Sequence, residues 1–471
     1  MQWPMYMVVA GLLLIMVCNR LFSEGMFMDG LYYADVALNM AEDNGDFWHP
    51  QFTDIQPFYG HPPLAMWMES MMYRLFGDSI AIEKIYSMLV TVLSLWLTVR
   101  LWRQCGGKRE LGWLPLLLFA LIPTLTACMA DNMLENTMMV FTLLSVLFML
   151  RGEERHHYIN MIASGIALAA AFLTKGFTGL YPLVFPMVIW LTFRNKSFAK
   201  AVADTLIVCA TFAVIMCSLL LLCPDAKEFF RIYFGIQVLD GVKVQVIDSR
   251  FSIVVKFFER SAVTLVVAVL TLFIAWRRQK RDEGERIWSK SDGRHAAALM
   301  ILVGVGVLPI MVSMKQRAFY ILTVYPFLSI ALSLLMQDSI EKWIGKAGDK
   351  ILKICYILAF MLVAGGVTAS VIQIGKPSHY DPEEIADMKI IIPHVKPHSI
   401  VGIEESMVQQ WSLGALYYRW GRVNLDNAVH DTMLLRSDVA EHWLEANSEK
   451  NYKKLELPTD KYHLYVSDKG F

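Results

Sequence analysis

Charge is what this chain has least of. Asp, Glu, Lys and Arg make up 18% of its 471 residues and 56% are hydrophobic, whereas a soluble globular protein carries about 25% charge. Acidic and basic residues balance at 43 each, so the net charge gives no sign of a nucleic-acid partner. Most of the seven cysteines lie within apolar runs (Cys18, Cys209, Cys217, Cys355), and none follows Gly375. That excludes a disulfide-built external domain, and no metal-ligand spacing is present. The first apolar run, 5–17, lacks a basic lead-in and an A-x-A-like cleavage site, so it reads as a span rather than a cleaved signal. No internal repeat of the kind that builds many transporters is visible.

What the chain does have is repeated apolar runs of membrane-crossing length, which predict a mostly α-helical polytopic membrane protein. About eleven spans are expected, near 5–22, 80–101, 112–129, 133–150, 158–174, 177–193, 202–222, 258–276, 296–313, 318–336 and 351–373. Connectors rich in Lys and Arg (Arg100/Arg103/Lys108/Arg109, Arg194/Lys196/Lys200, Lys342/Lys346/Lys350) alternate with connectors nearly devoid of them. The long first loop, 23–79, holds only Arg74. The positive-inside rule then puts the N-terminus in the cytoplasm and the first loop outside the inner membrane. An odd number of spans carries the C-terminus outside as well.

The predicted division is a membrane domain, 1–374, and a small external α/β domain, 375–471. In that tail, Asp381-Pro382-Glu383-Glu384 marks a helix start with an acidic N-cap and Pro at the first helical position. Segments 399–404 and 461–467 read as strands, with a helix near 407–420 between them.

The external side collects the residues that could carry chemistry. Asp29 precedes a helical pattern (Leu31, Tyr33, Ala34, Ala37, Met40). As an N-cap it would accept bonds from the next amides, and the same placement fixes a carboxylate that can take a hydroxyl proton. That helix and the run 64–76 read as interfacial. Between them lies Tyr59-Gly60-His61-Pro62-Pro63-Leu64, a stiff turn followed by Trp67. His61 is either a surface residue capping that turn or a group facing a lipid phosphate. Asp131 occupies a turn between apolar runs, where an acid is costly unless paired or functional. Lys175-Gly176, with Gly179, forms a second turn, and a lysine there runs against the external bias, which points to an anionic partner. Lys315, Arg317 and Tyr320 form a third, before Tyr325-Pro326. Arg231, Lys243, Arg250 and Lys256 add positive charge to the loop 224–256, by default as a solvated face. Boundary carboxylates with separated cations suit an enzyme that draws an anionic lipid head group from the bilayer. The cations would hold a phosphate leaving group while a carboxylate activates the nucleophile.

In these motifs and in layout over about residues 5–335, the chain resembles the lipid-linked-sugar glycosyltransferases of the GT-C class. The branch it is most similar to holds the lipid A aminoarabinose transferases and bacterial relatives of protein O-mannosyltransferases. The resemblance implies transfer of a sugar, with inversion, from a polyprenyl-phosphate donor to a hydroxyl or phosphate of a cell-envelope acceptor (lipid, glycan or protein). It implies that Asp29 is the catalytic carboxylate and that Asp131 positions substrate or a metal. It puts Tyr59, His61, Lys175, Lys315, Arg317 and Tyr320 on the donor-phosphate side. A divalent metal stays open, and membrane lipids are the implied surroundings. Two departures stand out. Gly30 replaces an acid that many relatives have, and His61 replaces a lysine. The second makes phosphate binding pH-dependent, because histidine is half-charged around pH 6.5. A secondary transporter, or a non-catalytic partner in envelope glycan assembly, is the alternative. The scarcity of charge within the spans and the lack of paired broken helices weigh against a transporter.

Overall fold

The computed structural model describes residues 2–240, 246–281, 288–346 and 348–468. The chain separates into two compact units. The first comprises Met1–Cys18, Tyr59–Ala65 and Ser87–Ser370; the second comprises Asn19–Phe58, Met66–Tyr86 and Val371–Phe471.

Among the described residues, eight helices are long and apolar enough to cross a membrane: Ile82–Gln104, Leu134–Glu154, His157–Gly179, Phe198–Leu222, Ser252–Arg278, Lys290–Val312, Ala318–Gly345 and Asp349–Gln373. The chain is a multi-pass membrane protein. The three other expected spans take different forms. Trp3–Cys18 and Tyr181–Phe193 are shorter apolar helices. The run 112–129, expected as one span, is two helices, Trp113–Ala120 and Pro123–Cys128. The break falls at Ile122, which is extended (φ −101°, ψ 104°), because the ring of the next residue, Pro123, crowds a helical conformation there.

In the first unit, Leu134–Glu154 and His157–Lys175 pack along one another. These two helices and Tyr325–Gly345 are enclosed by protein along most of their length. Phe198–Leu222 and Asp349–Gln373 instead leave large apolar side chains uncovered, such as Leu221, Leu222 and Phe360, as expected of lipid-facing surface. Glycine permits one close crossing: a Cβ on Gly11 would meet the Leu362 Cβ at 2.7 Å, and one on Gly366 would meet Leu14 at 3.0 Å. Small residues let membrane helices approach in this way.

The second unit combines first-loop and tail segments. The helix Met28–Ala41 is buried on nearly every face, from Gly30 through Met40 except Tyr32. It packs on the tail helix Trp411–Gly421 and on strand β1 (Gln51–Thr53) of a hairpin closed by β2 (Gln56–Pro57). Leu64–Phe76 keeps Trp67, Leu75 and Phe76 exposed. The tail holds a five-stranded mixed sheet from β3 (Ile400–Ile403), β4 (Asn424–Asp426), β5 (Thr432–Arg436), β6 (Lys453–Lys454) and β7 (Tyr462–Val466), in the order β4-β3-β5-β7-β6. β3 runs parallel to β4 and β5, and β7 antiparallel to β5 and β6. The two strands read from sequence are β3 and β7, and the intervening helix begins at Trp411. Asp381 caps the helix Pro382–Ile391, with Pro first as expected, but its side chain bonds none of that helix's amides.

A buried polar network joins loop and tail within this unit. Asp54 Oδ1 accepts from the hydroxyl of Tyr418 (2.8 Å) and the amide of Asn44 (2.9 Å), while Oδ2 accepts from Asn424 (2.8 Å). Burial works against this carboxylate, but those bonds, with His398 beside it, hold its pKa below the usual value. Nearby, Arg419 donates to Asp78 (2.9 Å) and to the fully buried Glu83 (3.2 Å), which also accepts from the Tyr73 hydroxyl at 2.6 Å.

Candidate active site

The Lys175-Gly176 turn ends the helix His157–Lys175. Gly176 takes φ +75°, and a Cβ there would lie 2.1 Å from the Tyr233 hydroxyl. Both the backbone conformation and the available space therefore require glycine. The helix end aims the Lys175 ammonium at Glu135, 2.5 Å from Oε1, with both side chains buried. The rings of Phe319 and Tyr320 lie 5.4 and 5.6 Å from the same ammonium, within cation–π range.

Lys315 and Arg317 flank Gln316, whose fully buried side chain pins the third turn. Its Nε2 donates to the carbonyl oxygens of Ser313 (2.8 Å) and Arg250 (3.0 Å), and its Oε1 accepts from the Ile253 amide (2.7 Å). Arg250 donates to the Val312 carbonyl (2.9 Å) and Lys256 to that of Gln316 (3.3 Å). These two cations brace the turn, Arg250 while remaining solvent-exposed as expected and Lys256 partly buried. Lys243 lies outside the described residues. Arg317 itself is exposed.

His61 joins this group. Burial, and then the positive charges of Lys175 and Lys315, hold its imidazole well below the ordinary histidine pKa. Histidine is ordinarily half-charged near pH 6.5; here burial and the two lysines disfavour the charged form. Tyr59 is half-buried, its ring 5.6 Å from that of Phe229.

Asp131 is buried in the turn before Leu134–Glu154. Asn132 beside it takes a left-handed conformation, φ +49°. Asn136 laces the turn, donating to the Cys128 carbonyl (2.7 Å) and to the Ser87 hydroxyl (3.0 Å), which itself donates to the Met129 carbonyl (2.7 Å).

Asp29 belongs to the second unit. It is the second residue of its helix, whose N-cap is Phe27, so the N-cap reading is corrected. A carboxylate in the first turn still faces the positive end of the helix dipole.

The structure thus brings His61, Lys175, Lys315 and Tyr320 into one neighbourhood of the first unit. The sequence reading passed over Glu135 and Gln316 as site residues. The buried Glu135, one turn beyond Asp131, was the available signal. Among the described residues no group of three or more His, Cys, Asp or Glu could hold a metal ion. Chemically, the cluster combines two lysines, an imidazole that can gain a proton and one carboxylate, a set able to pair with an anion.

Residues 60–221 match the family model described as dolichyl-phosphate-mannose-protein mannosyltransferase. A relative in Aeromonas salmonicida (strain A449), an undecaprenyl phosphate-alpha-4-amino-4-deoxy-L-arabinose arabinosyl transferase, is 28% identical over 173 residues, 35% of this chain and 30% of that protein. The protein of the same name in Pseudomonas aeruginosa (strain UCBPP-PA14) is 24% identical over 223 residues, 45% of this chain and 40% of that one. The match therefore spans less than half the length of either curated relative. Among solved structures, ArnT from Cupriavidus metallidurans bound to undecaprenyl phosphate superposes with a TM-score of 0.64 at 15% identity, covering 98% of both chains. Its apo state gives 0.65 at 14% identity, covering 98% of this chain and 97% of that one. The chain shares the fold of these ArnT structures.

Proposed function

We propose that this chain is an integral-membrane glycosyltransferase that moves a sugar from a polyprenyl-phosphate donor to a hydroxyl or phosphate of a cell-envelope acceptor. The observation that carries the reading is the pair of cations Lys175 and Lys315, gathered with the imidazole of His61 at the ends of membrane helices. A lipid phosphate is an anion delivered at that depth. The relatives' printed names, and the undecaprenyl phosphate named with one ArnT structure, support the same donor class.

In the proposed reaction the donor's isoprenoid tail lies among the membrane helices. Asp29 takes the proton of the acceptor hydroxyl, whose oxygen forms a bond to C1 of the sugar. The C1–O bond to phosphate breaks on the opposite face, inverting the centre, and polyprenyl phosphate leaves. Lys175 and Lys315, with Arg317, Tyr320, Tyr59 and a protonated His61, stabilise the charge that develops on the leaving phosphate. Asp131 positions substrate. In this reading the N-terminus is cytoplasmic, and the first loop and the tail face the periplasm. The Lys/Arg asymmetry of the connectors supports that orientation.

The test measures sugar transfer from a polyprenyl-phosphate donor to envelope lipid acceptors by the purified wild type and by Asp29→Asn. Transfer by the wild type and its loss in the variant is the expected result. Undiminished transfer by Asp29→Asn removes Asp29 from the chemistry. A wild type that neither binds polyprenyl phosphate nor turns over the donor overturns the reading.

A further inference from the structure

A cavity of about 610 Å³ opens in the second unit, lined by none of the residues assigned above to donor or acceptor chemistry. Its polar wall is built around Arg422. The guanidinium donates to Glu42 Oε1 (2.7 Å) and Oε2 (3.3 Å) and to Asp78 Oδ2 (2.8 Å). Asp78 Oδ1 is held from behind by Arg419 at 2.9 Å. Each of the two wall carboxylates thus holds a guanidinium, and Arg419 is shared with the buried Glu83 behind the wall. His398, whose Nδ1 lies 3.0 Å from Asp54, adds an exposed imidazole to the lining. Trp420 and Pro397 supply flat and stiff apolar surface.

Two features mark this wall as constructed. Arg422 and His398 both hold left-handed backbone conformations, φ +53° and +61°, and the His398 amide donates to the Arg422 carbonyl at 2.8 Å. At Arg422 this is the C-cap of the helix Trp411–Gly421, and side chains other than glycine reach that conformation only at a cost in free energy. The volume also falls in the range of pockets that enclose small ligands, about 300–1,000 Å³.

The charge arrangement selects the ligand class. A phosphate would meet the Glu42 and Asp78 carboxylates. A cation would compete with the guanidinium groups already bound to both. A neutral, hydroxyl-rich molecule suits the wall, because each carboxylate oxygen bound to one donor keeps a further acceptor position. The imidazole can pair with another hydroxyl, and the indole can cover the C–H face of a ring. We propose that this cavity binds a neutral saccharide.

The inference stands on the cavity's chemistry and not on the transfer reaction, so saccharide binding can be present without transfer and the reverse. Full-length protein in nanodiscs is titrated with neutral di- and trisaccharides of hexose and N-acetylhexosamine, with inorganic phosphate and with spermidine. Binding is read by saturation-transfer NMR and calorimetry. At least one neutral saccharide is expected to bind, at least about tenfold more weakly to Trp420→Ala, with most of the affinity regained in Trp420→Phe. His398→Ala is expected to weaken binding while losing only the modest stability of its exposed contact with Asp54. Binding of phosphate or spermidine in preference to every saccharide overturns the proposal. So does saccharide binding that neither Trp420→Ala nor His398→Ala changes, or no binding at all.

Discussion

The ammonium of Lys175 lies 2.5 Å from Oε1 of Glu135, and neither side chain reaches solvent to more than 4%. The two residues are 40 positions apart, on adjoining helices. A buried pair of this kind is stable only while both members are present. In the proposed reaction, a phosphate reaching Lys175 would share the lysine with the carboxylate.

That relationship predicts a separation of stability from binding. Lys175→Met removes the charge that balances Glu135 and should cost about 3–5 kcal/mol of stability. The double variant Lys175→Met/Glu135→Gln should recover most of the melting temperature. It should still bind polyprenyl phosphate at least about tenfold more weakly than the wild type. Thermal unfolding and lipid-phosphate titration of the three proteins would test this. Wild-type affinity in the double variant would show that Lys175 serves the fold alone.

His61 should make donor-phosphate binding pH-dependent. Burial, then Lys175 and Lys315, hold its pKa low in the empty site, and a bound phosphate opposes that effect. Binding then takes up a proton in the window between the free and bound values, so affinity should rise as pH falls toward and below about 6.5. His61→Asn should flatten the profile, and calorimetry in buffers of different ionisation enthalpy should register the proton. A wild-type affinity that does not change with pH would sink the idea.

Asp35 is predicted to oppose folding at neutral pH. It is fully buried, and among the described residues neither of its oxygens has a hydrogen-bond partner. Burial pushes its carboxyl well above the usual value, which Arg419 and Arg422 oppose and Glu83 and Asp78 reinforce. The folded protein holds this proton to higher pH than the unfolded chain, which releases it above about pH 3.9. Stability attributable to this group therefore falls as pH rises from the unfolded value toward the raised folded one. Asp35→Asn should be at least as stable as the wild type at pH 7, with the advantage vanishing near pH 4. Equal destabilisation of the variant at both pH values would contradict this.

Several features were legible without coordinates because they are local. Apolar runs of sufficient length show as spans, although the break at Pro123 within 112–129 was not legible, because the run reads as continuous in composition. Lys175-Gly176 was legible as a turn, since glycine at that position answers to its own backbone. The strands β3 and β7 stood out by composition, but β4, β5 and β6 are short and take their definition from neighbours. The near-complete burial of Met28–Ala41 was not visible in its pattern, because the tail helix Trp411–Gly421 covers a face that would otherwise meet solvent.

The sequence by itself determined the membrane class, the place of most spans and the candidate turns. Run length, charge bias and backbone preference act within a few residues. Only the tertiary structure decided which charges meet. It paired Lys175 with Glu135, used Gln316 to hold Lys315 and Arg317 in one turn, and set Arg422 between Glu42 and Asp78. Such pairings depend on which distant elements pack together, and side-chain electrostatics fall off too steeply for a neighbour in sequence to stand in for a neighbour in space.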